Sequence, residues 1–119
     1  MAGKNVPIVL IPRYTSYVGG GTYSTLPIPV SAYDSLVVSI WRSIGTGVSP
    51  TLNVVWQESN DLDDWDPCAG GISLVPPVLE VQSTVQLTKA WFRLVLLLGP
   101  TTNAAMTVWS QGFLILREK

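Results

Sequence analysis

The densest group of side chains that could do chemistry in this chain is a run of aspartates. The four are Asp61, Asp63, Asp64 and Asp66. With Glu58 they make up five of the eight acidic residues, and Trp65 lies among them. Carboxylates at this density could hold a cation, form a catalytic pair, or shape a turn.

A calcium loop of the EF-hand type does not fit this run. Such a loop needs oxygen ligands at alternating positions, a glycine at the sixth position and a glutamate at the twelfth. Counted from Asp61, Trp65 takes a ligand position, Asp66 stands in place of the glycine, and Ile72 stands in place of the glutamate. We therefore predict no metal site, although a looser site formed by Asp61, Asp63 and Asp66 stays open.

Catalysis by these carboxylates is not expected either. Glycoside hydrolysis needs two carboxylates that face each other across a cleft, and neighbours on one turn cannot flank a substrate. An opposing partner would have to be Glu58, Glu80 or Asp34, and nothing in the sequence marks them. The chain has no histidine, so Cys68 and the serines lack the usual activating base. We predict no catalytic residues, no cofactor and no enzymatic activity.

The remaining interpretation is a turn. Ser59, Asn60 and Asp61 are turn-forming residues, whose short polar side chains hydrogen-bond to nearby backbone groups. Trp65 would then pack over the end of the domain, and Cys68 would be a thiol in the loop that follows.

Composition limits the possible partners. The chain has 119 residues, enough for one domain, with 47% hydrophobic and only 13% charged residues. Soluble domains carry about 25% charged residues, so much of this surface lacks charge. The net charge is −1 and the basic residues are scattered, which argues against nucleic-acid binding. The longest apolar run, residues 94–98, is too short to span a membrane.

The setting predicted from the sequence is the cytoplasm, or a particle assembled there. The chain has one cysteine, which excludes a scaffold built from internal disulfides. Pro7 and Pro12 interrupt the apolar segment near the N-terminus, which does not resemble a signal peptide.

The fold predicted is all-β: one antiparallel β-sandwich or jelly-roll-like domain of about eight strands. Proline and glycine recur at short intervals, β-branched residues fill the gaps, and no window has sustained helical periodicity. Residues 14–21 are predicted to be a loop that ends in a glycine hinge, and Gly112 indicates a bulge or sharp bend in the last strand. The predicted strands are residues 6–13, 22–30, 35–44, 51–58, 72–75, 79–87, 90–98 and 105–117.

The N-terminal segment is predicted to be an edge strand or an extended arm, because of its prolines. We place the arm and its hinge in residues 1–21 and the sandwich in residues 22–119. Such an arm could reach onto a neighbouring subunit and add to its sheet.

Several strands are apolar on both faces, which predicts self-association. In the strand 90–98, Phe92 and Leu94 can fill the core while Trp91 and Val95 point outward. Exposed apolar surface of this kind usually marks an interface. The residues predicted to bind partners are Val6, Ile8, Val9, Leu10, Trp41, Trp91 and Val95.

The segment VVWQESNDLDDWDP resembles a strand and turn of small β-sandwich proteins from tailed bacteriophages. Trp56, Glu58, Ser59, Asp61 and Trp65 carry the resemblance. The closing segment AWFRLVLLLGPTTNAAMTVWSQGFLILREK is similar to the final hairpin of such sandwiches. The resemblance implies a structural virion protein of the capsid decoration (cement) type, which forms a homo-oligomer, with a trimer favoured, and binds the major capsid protein or another virion protein.

A carbohydrate-binding module is the alternative function. Sandwiches of this size often bind sugars through exposed aromatic side chains beside aspartates and asparagines. The candidate ligand-binding residues are Trp65, Asp61, Asp63 and Asp64, with Tyr14, Tyr17 and Tyr23.

Overall fold

The computed structural model describes residues 5–46, 50–67, 72–74, 79–99 and 103–116. Within these ranges the chain forms ten β-strands and no helix. None of the described segments is a helix that could cross a membrane. Cys68, and the prediction made for it, lie outside the described residues. The strands are β1 (Asn5–Val18), β2 (Gly21–Ser24), β3 (Ile28–Pro29), β4 (Tyr33–Arg42), β5 (Thr51–Ser59), β6 (Asp66–Pro67), β7 (Ile72–Leu74), β8 (Glu80–Gln86), β9 (Trp91–Gly99) and β10 (Ala105–Leu116).

The strands form two antiparallel sheets that stack as a β-sandwich, which confirms the predicted fold class. Sheet A has the order β1-β10-β4-β8, and sheet B has the order β2-β9-β5-β6. Strand β3 also pairs with β9, and β7 also pairs with β5. The chain leaves sheet A after β1 at Gly19, whose N–H donates to the carbonyl of Ala104 at 2.8 Å.

The core lies between the sheets and follows the period-two pattern of the sequence. Strands β4, β5 and β9 each turn alternate apolar side chains inward. Trp56 and Phe92 are its largest apolar side chains, with ring centroids 6.2 Å apart. The other buried members on these three strands are Leu36, Val38, Ile40, Leu52, Val54, Leu94, Leu96 and Leu98.

Strand β1 is an edge strand of sheet A, and it is longer than predicted. Residues 14–18, which the sequence predicts as a loop, continue the pairing with β10 from Thr15↔Val108 to Val18↔Ala105. The reason is a tertiary one, since pairing with β10 satisfies backbone groups that a loop would leave to water. Sheet A therefore includes residues on the N-terminal side of the predicted boundary at residue 21. Whether the segment also reaches a neighbouring subunit stays a prediction.

The irregularity predicted at Gly112 lies in β1 instead. Gly112 pairs in regular register with Val38 of β4, whereas β1 has register shifts between Val9 and Ile11 and again before Thr15. Tyr14, within the second shift, has a φ of 64°. Extra residues in an edge strand shift its register at little cost, because the other side of that strand has no hydrogen bonds to a neighbouring described strand that the shift would break.

Gly112 is needed for a close approach of backbone rather than for a bend. A Cβ atom at this position would lie 1.9 Å from the carbonyl oxygen of Val37. That contact is with backbone of the neighbouring strand, so it cannot be relieved by a side-chain rotation. Any side chain here would push β10 and β4 apart.

We expect Gly112→Ala to destabilise the domain by about 3 kcal/mol or more, because it overpacks a backbone contact in the middle of a sheet. Urea unfolding monitored by circular dichroism measures the change. Gly99→Ala is the matched control, since its nearest non-neighbour atom is 4.0 Å from the added Cβ and it also lies in a strand. Equal stability of the two variants would contradict this account.

Candidate functional site

The acidic run is a hydrogen-bonded turn built on two side chains. The Ser59 hydroxyl oxygen accepts hydrogen bonds from the N–H groups of Leu62 at 2.9 Å and Asp61 at 3.2 Å. Asp61 Oδ1 accepts from the N–H groups of Asp63 and Asp64, both at 2.9 Å. Leu62 has a φ of 69°, which lets the chain reverse within this short segment. These contacts are the ones expected of a turn.

Hydrogen bonds to the Asp61 carboxylate, which include one donated by the Ser59 hydroxyl to Oδ1 at 3.1 Å, lower the pKa of that carboxyl below its ordinary value. The N–H of Asp64 contributes most, followed by the N–H of Asp63 and the hydroxyl of Ser59. Each donor stabilises the charged form. One oxygen of Asp61 is thus already engaged with backbone, and the described residues contain no cluster of three or more candidate metal-ligating side chains.

Trp65 closes the turn and is covered on one face. Its indole Nε1 donates to the carbonyl of Leu62 at 3.2 Å. The guanidinium carbon of Arg93 lies 4.1 Å from the centroid of the indole ring. Arg93 is itself fixed, because its Nε donates to Gln57 Oε1 at 2.9 Å. A sugar that stacked on this face of Trp65 would have to displace Arg93.

Polar side chains around the turn hold the connection between β8 and β9. Glu58 is buried, with 8% of its surface exposed, and accepts hydrogen bonds from the N–H of Thr88 at 3.1 Å and its hydroxyl at 2.7 Å. Asn60 Oδ1 accepts from the N–H of Ala90 at 3.1 Å, and Asp66 pairs with Lys89. Glu58 is thus committed to a structural contact rather than facing a cleft.

The residues predicted to bind partners are distributed over both sheets. In β1, Val6, Ile8 and Leu10 are half-buried and pack against the core, whereas Val9 is exposed. Val95 alternates with the buried Leu94 and Leu96 in β9 and so lies on the outer face of sheet B.

Val95 has only 8% of its surface exposed, so it offers little surface for a partner to contact. Trp41 and Trp91 are both half-buried, on the outer faces of sheet A and sheet B respectively. The structure therefore does not gather the predicted set into one surface.

An aromatic row crosses the outer face of sheet A. Trp41 of β4 and Trp109 of β10 are paired across the strands, with ring centroids 3.7 Å apart and planes 18° apart. Tyr14 meets Trp109 edge-on at 5.7 Å, and the Arg13 guanidinium lies 5.3 Å from the Trp109 ring. On the β8 side of Trp41 stands Glu80. A polar hollow beside the row is lined by Ser39, Ile40, Trp41, Glu80, Trp109 and Gln111.

An apolar groove lies next to the aromatic row on the same face. It has a volume of about 280 Å³ and runs across β1, β10 and β4. Val9 and Phe113 are its most exposed apolar residues, at 61% and 45%. No charged residue is among those that line it, which are Pro7, Ile8, Val9, Ser39, Gln111, Gly112 and Phe113.

Trp109 and Phe113 are the site residues that the sequence analysis missed. The last strand was recognised, but its two faces were not assigned. Alternation counted from the buried Val108 and Leu114 would have placed Trp109, Gln111 and Phe113 outward.

The tyrosines proposed for sugar binding lie in two places. Tyr17 and Tyr23 contact each other, with centroids 4.9 Å apart, and both are half-buried. The Tyr23 hydroxyl donates to the carbonyls of Val18 and Gly19, which ties β2 to the glycine hinge. Tyr14 belongs to the aromatic row instead, so the three do not form one site with Trp65.

Comparison with known proteins places the fold but no family. No protein-family model matches the chain, and no curated protein matches it. Among solved structures, the PBSX exported protein XepA is similar, with a TM-score of 0.63 at 13% identity. The match covers 96% of this chain and 38% of XepA, so the chain spans well under half of that protein's length.

Two carbohydrate-binding modules give weaker matches. The CBM22-1 xylan-binding domain of Paenibacillus barcinonensis Xyn10C has a TM-score of 0.47 at 14% identity, over 99% of this chain and 98% of that one. A family 29 carbohydrate-binding module has a TM-score of 0.41 at 10% identity, over 92% and 89%.

We expect Asp61→Asn to lower the stability of the domain at neutral pH and to matter less as the pH falls. The carboxyl has a lower pKa in the folded chain than its ordinary value of 3.8. Its charge therefore stabilises the fold above that value, and the contribution is lost as the pH falls through the folded-state pKa. Urea unfolding of both proteins at neutral pH, near pH 4 and below about pH 3 tests this.

Asp63→Asn is the control, because it removes one charge from the same turn at an exposed side chain. If both variants changed stability equally at every pH, the effect would come from turn charge alone and not from the bonds to Asp61.

Proposed function

We propose that this chain is a non-enzymatic structural protein of a bacteriophage particle, a capsid decoration subunit that binds the capsid lattice and further copies of itself. Its place would be the virion, after assembly in the host cytoplasm. The observation that carries the proposal is the apolar groove on the outer face of sheet A, whose lining holds no charged residue. A partner protein of complementary shape could bury this face, since exposed apolar surface of this kind usually marks an interface.

The groove on that face supports protein binding by its chemistry. Val9 and Phe113 flank the groove, whose lining has no charged side chain. The groove lies between aromatic side chains and a strand edge, and aromatic residues are enriched at the centres of protein interfaces. An apolar side chain of a capsid protein would fit there without leaving a charge unpaired.

Two further observations support a phage setting. The strand and turn around Trp56 and Trp65 resemble those of small phage sandwich proteins. XepA, which shares the fold, is an exported protein of the prophage PBSX. The same sandwich thus occurs in a phage-encoded protein.

The absence of catalysis is part of the proposal and rests on side-chain chemistry. The chain has no histidine. Glu58 and Asp61, the best-placed carboxylates, both accept hydrogen bonds from nearby backbone N–H groups. Asp61 therefore holds the turn, and Glu58 holds the connection between β8 and β9.

We expect the chain to co-purify with phage particles from the strain that encodes it, and Phe113→Gln to reduce its copy number per particle at least tenfold. Quantitative mass spectrometry of density-gradient fractions measures both. Leu97→Gln is the matched control, because Leu97 is 38% exposed on sheet B and should leave the copy number unchanged. Particles that lack the chain altogether would overturn the proposal.

A carbohydrate-binding module stays the second candidate, favoured by the polar hollow beside Trp41. Trp41 offers an indole there, and Glu80, Ser39 and Gln111 offer hydrogen-bonding groups within the same lining. Sugars are recognised by such a combination of an aromatic surface with a few polar groups.

If this candidate is right, the wild-type chain binds on a glycan array and Trp41→Ala loses the signal. Trp91→Ala is the control, as it removes a half-buried tryptophan from the other sheet. No signal from the wild-type chain, or equal loss from both variants, would exclude sugar binding at this hollow.

A further inference from the structure

Strand β8 has a regular backbone edge with which no described strand pairs. Sheet A ends at β8, which pairs on one side with β4 over the continuous register Ser35↔Gln86 to Trp41↔Glu80. The N–H of Arg42 donates to the Leu79 carbonyl at 2.9 Å, and the N–H of Leu87 donates to the Asp34 carbonyl at 3.0 Å.

These two bonds fix which backbone groups of β8 are available. In an antiparallel strand, the N–H and C=O of one residue point to the same side, and the side alternates along the chain. Since Leu79 and Leu87 point to β4, the other odd-numbered residues between them do so too. The residues that direct both groups to the open edge are Glu80, Gln82, Thr84 and Gln86.

The edge of β8 lacks the features that protect the opposite edge of the sheet. In β1, Pro7 and Pro12 have no N–H to offer, and two register shifts break the line of the strand. Strand β8 contains no proline, glycine or lysine, and its one charged residue, Glu80, is at its end. Strand edges of this unprotected kind pair readily with another chain.

We propose that β8 is the surface through which two copies of this chain pair, antiparallel, about a two-fold axis at Ser83. Only registers that match even-numbered residues with even-numbered residues can form hydrogen bonds. The register centred on Ser83 sets Gln82 opposite Thr84 of the second copy, and Glu80 opposite Gln86 of the second copy. Each of these residues then donates one bond and accepts one.

The side chains fit the same register. Val81 lies opposite Val85 of the second copy on the inner face, which suits a cross-strand apolar pair. The two Glu80 carboxylates are at opposite ends of the pairing, so like charges do not meet. A slip by two residues in either direction would leave part of the edge unpaired.

The pairing deepens the proposed function, because it names the surface for self-association. The two-fold axis is perpendicular to the sheet, so the outer faces of both copies of sheet A point the same way. Two capsid-binding faces on one side of a dimer would bind a lattice more tightly than either face alone. The biological meaning rests on the proposed function, whereas the pairing itself does not, and it predicts an even number of copies rather than the trimer favoured from the sequence.

Disulfide trapping tests the register directly. In a Cys68→Ser background, Ser83→Cys would place two thiols across the axis at a non-hydrogen-bonded pair, where Cα atoms are about 4.5 Å apart and within disulfide range. Thr84→Cys is the matched control, since its two copies would be about 8–9 Å apart, beyond that range. We expect mild oxidation to cross-link Ser83→Cys at least tenfold more than Thr84→Cys.

A second variant tests whether the open edge of β8 mediates dimer formation, and it needs no introduced cysteine. Gln82→Pro removes an N–H that points to the open edge and none that bonds to β4. Light scattering from micromolar to millimolar protein should give a dimer for the wild-type chain and a dissociation constant at least tenfold higher for Gln82→Pro. Gln82→Ala keeps the N–H and should behave as the wild-type chain does.

A wild-type chain that stays monomeric throughout, or equal cross-linking of the two cysteine variants, would overturn the inference. If Gln82→Pro fails to fold, the cysteine comparison decides. A chain that fails these tests yet still co-purifies with phage particles would overturn the pairing and leave the proposed function in place.

Discussion

The outer face of sheet A depends on the close approach of β10 to β4 at Gly112. Strand β10 lies between β1 and β4, and a Cβ at Gly112 would collide with the Val37 carbonyl. Because β10 carries Trp109, Gln111 and Phe113, its position sets both the aromatic row and the groove beside it. Because Gly112 has no side chain, β10 can pair closely with β4. This pairing sets the positions of the residues that we propose for binding.

The acidic turn stabilises the end of the sandwich where β8 of sheet A connects to β9 of sheet B. Residues 88–90 of that connection are held by Glu58, Asn60 and Asp66. Hydrogen-bonded side chains supply partners that a short irregular segment cannot find in a sheet. In the sequence these carboxylates resemble a catalytic group. A carboxylate is a charged hydrogen-bond acceptor, and it can serve equally well to hold backbone N–H groups in place.

Period-two patterns in the sequence were enough to predict the fold class, but not which face of each strand is buried. Leu52, Val54 and Trp56 alternate in β5 and are buried, because one face of the strand must leave water. The length of β1 could not be predicted, since residues 14–18 are extended only because β10 is beside them. The sequence also could not predict how far outward-facing side chains are exposed to solvent. Val95 is buried and Phe113 is exposed, which is decided by neighbours on adjacent strands.

If copies of the chain pair through β8 as proposed, the difference between the two edges of sheet A would limit how they assemble. If β1 and β8 both had open, regular edges, each copy could add another at either side and sheets would grow without limit. Pro7, Pro12 and the register shifts make β1 a poor template, whereas β8 is regular. One open edge that pairs with itself closes after two copies, because a two-fold contact uses the same surface on both partners. The prolines of the N-terminal segment, which first indicated an arm, would then serve to direct association to the far side of the sheet.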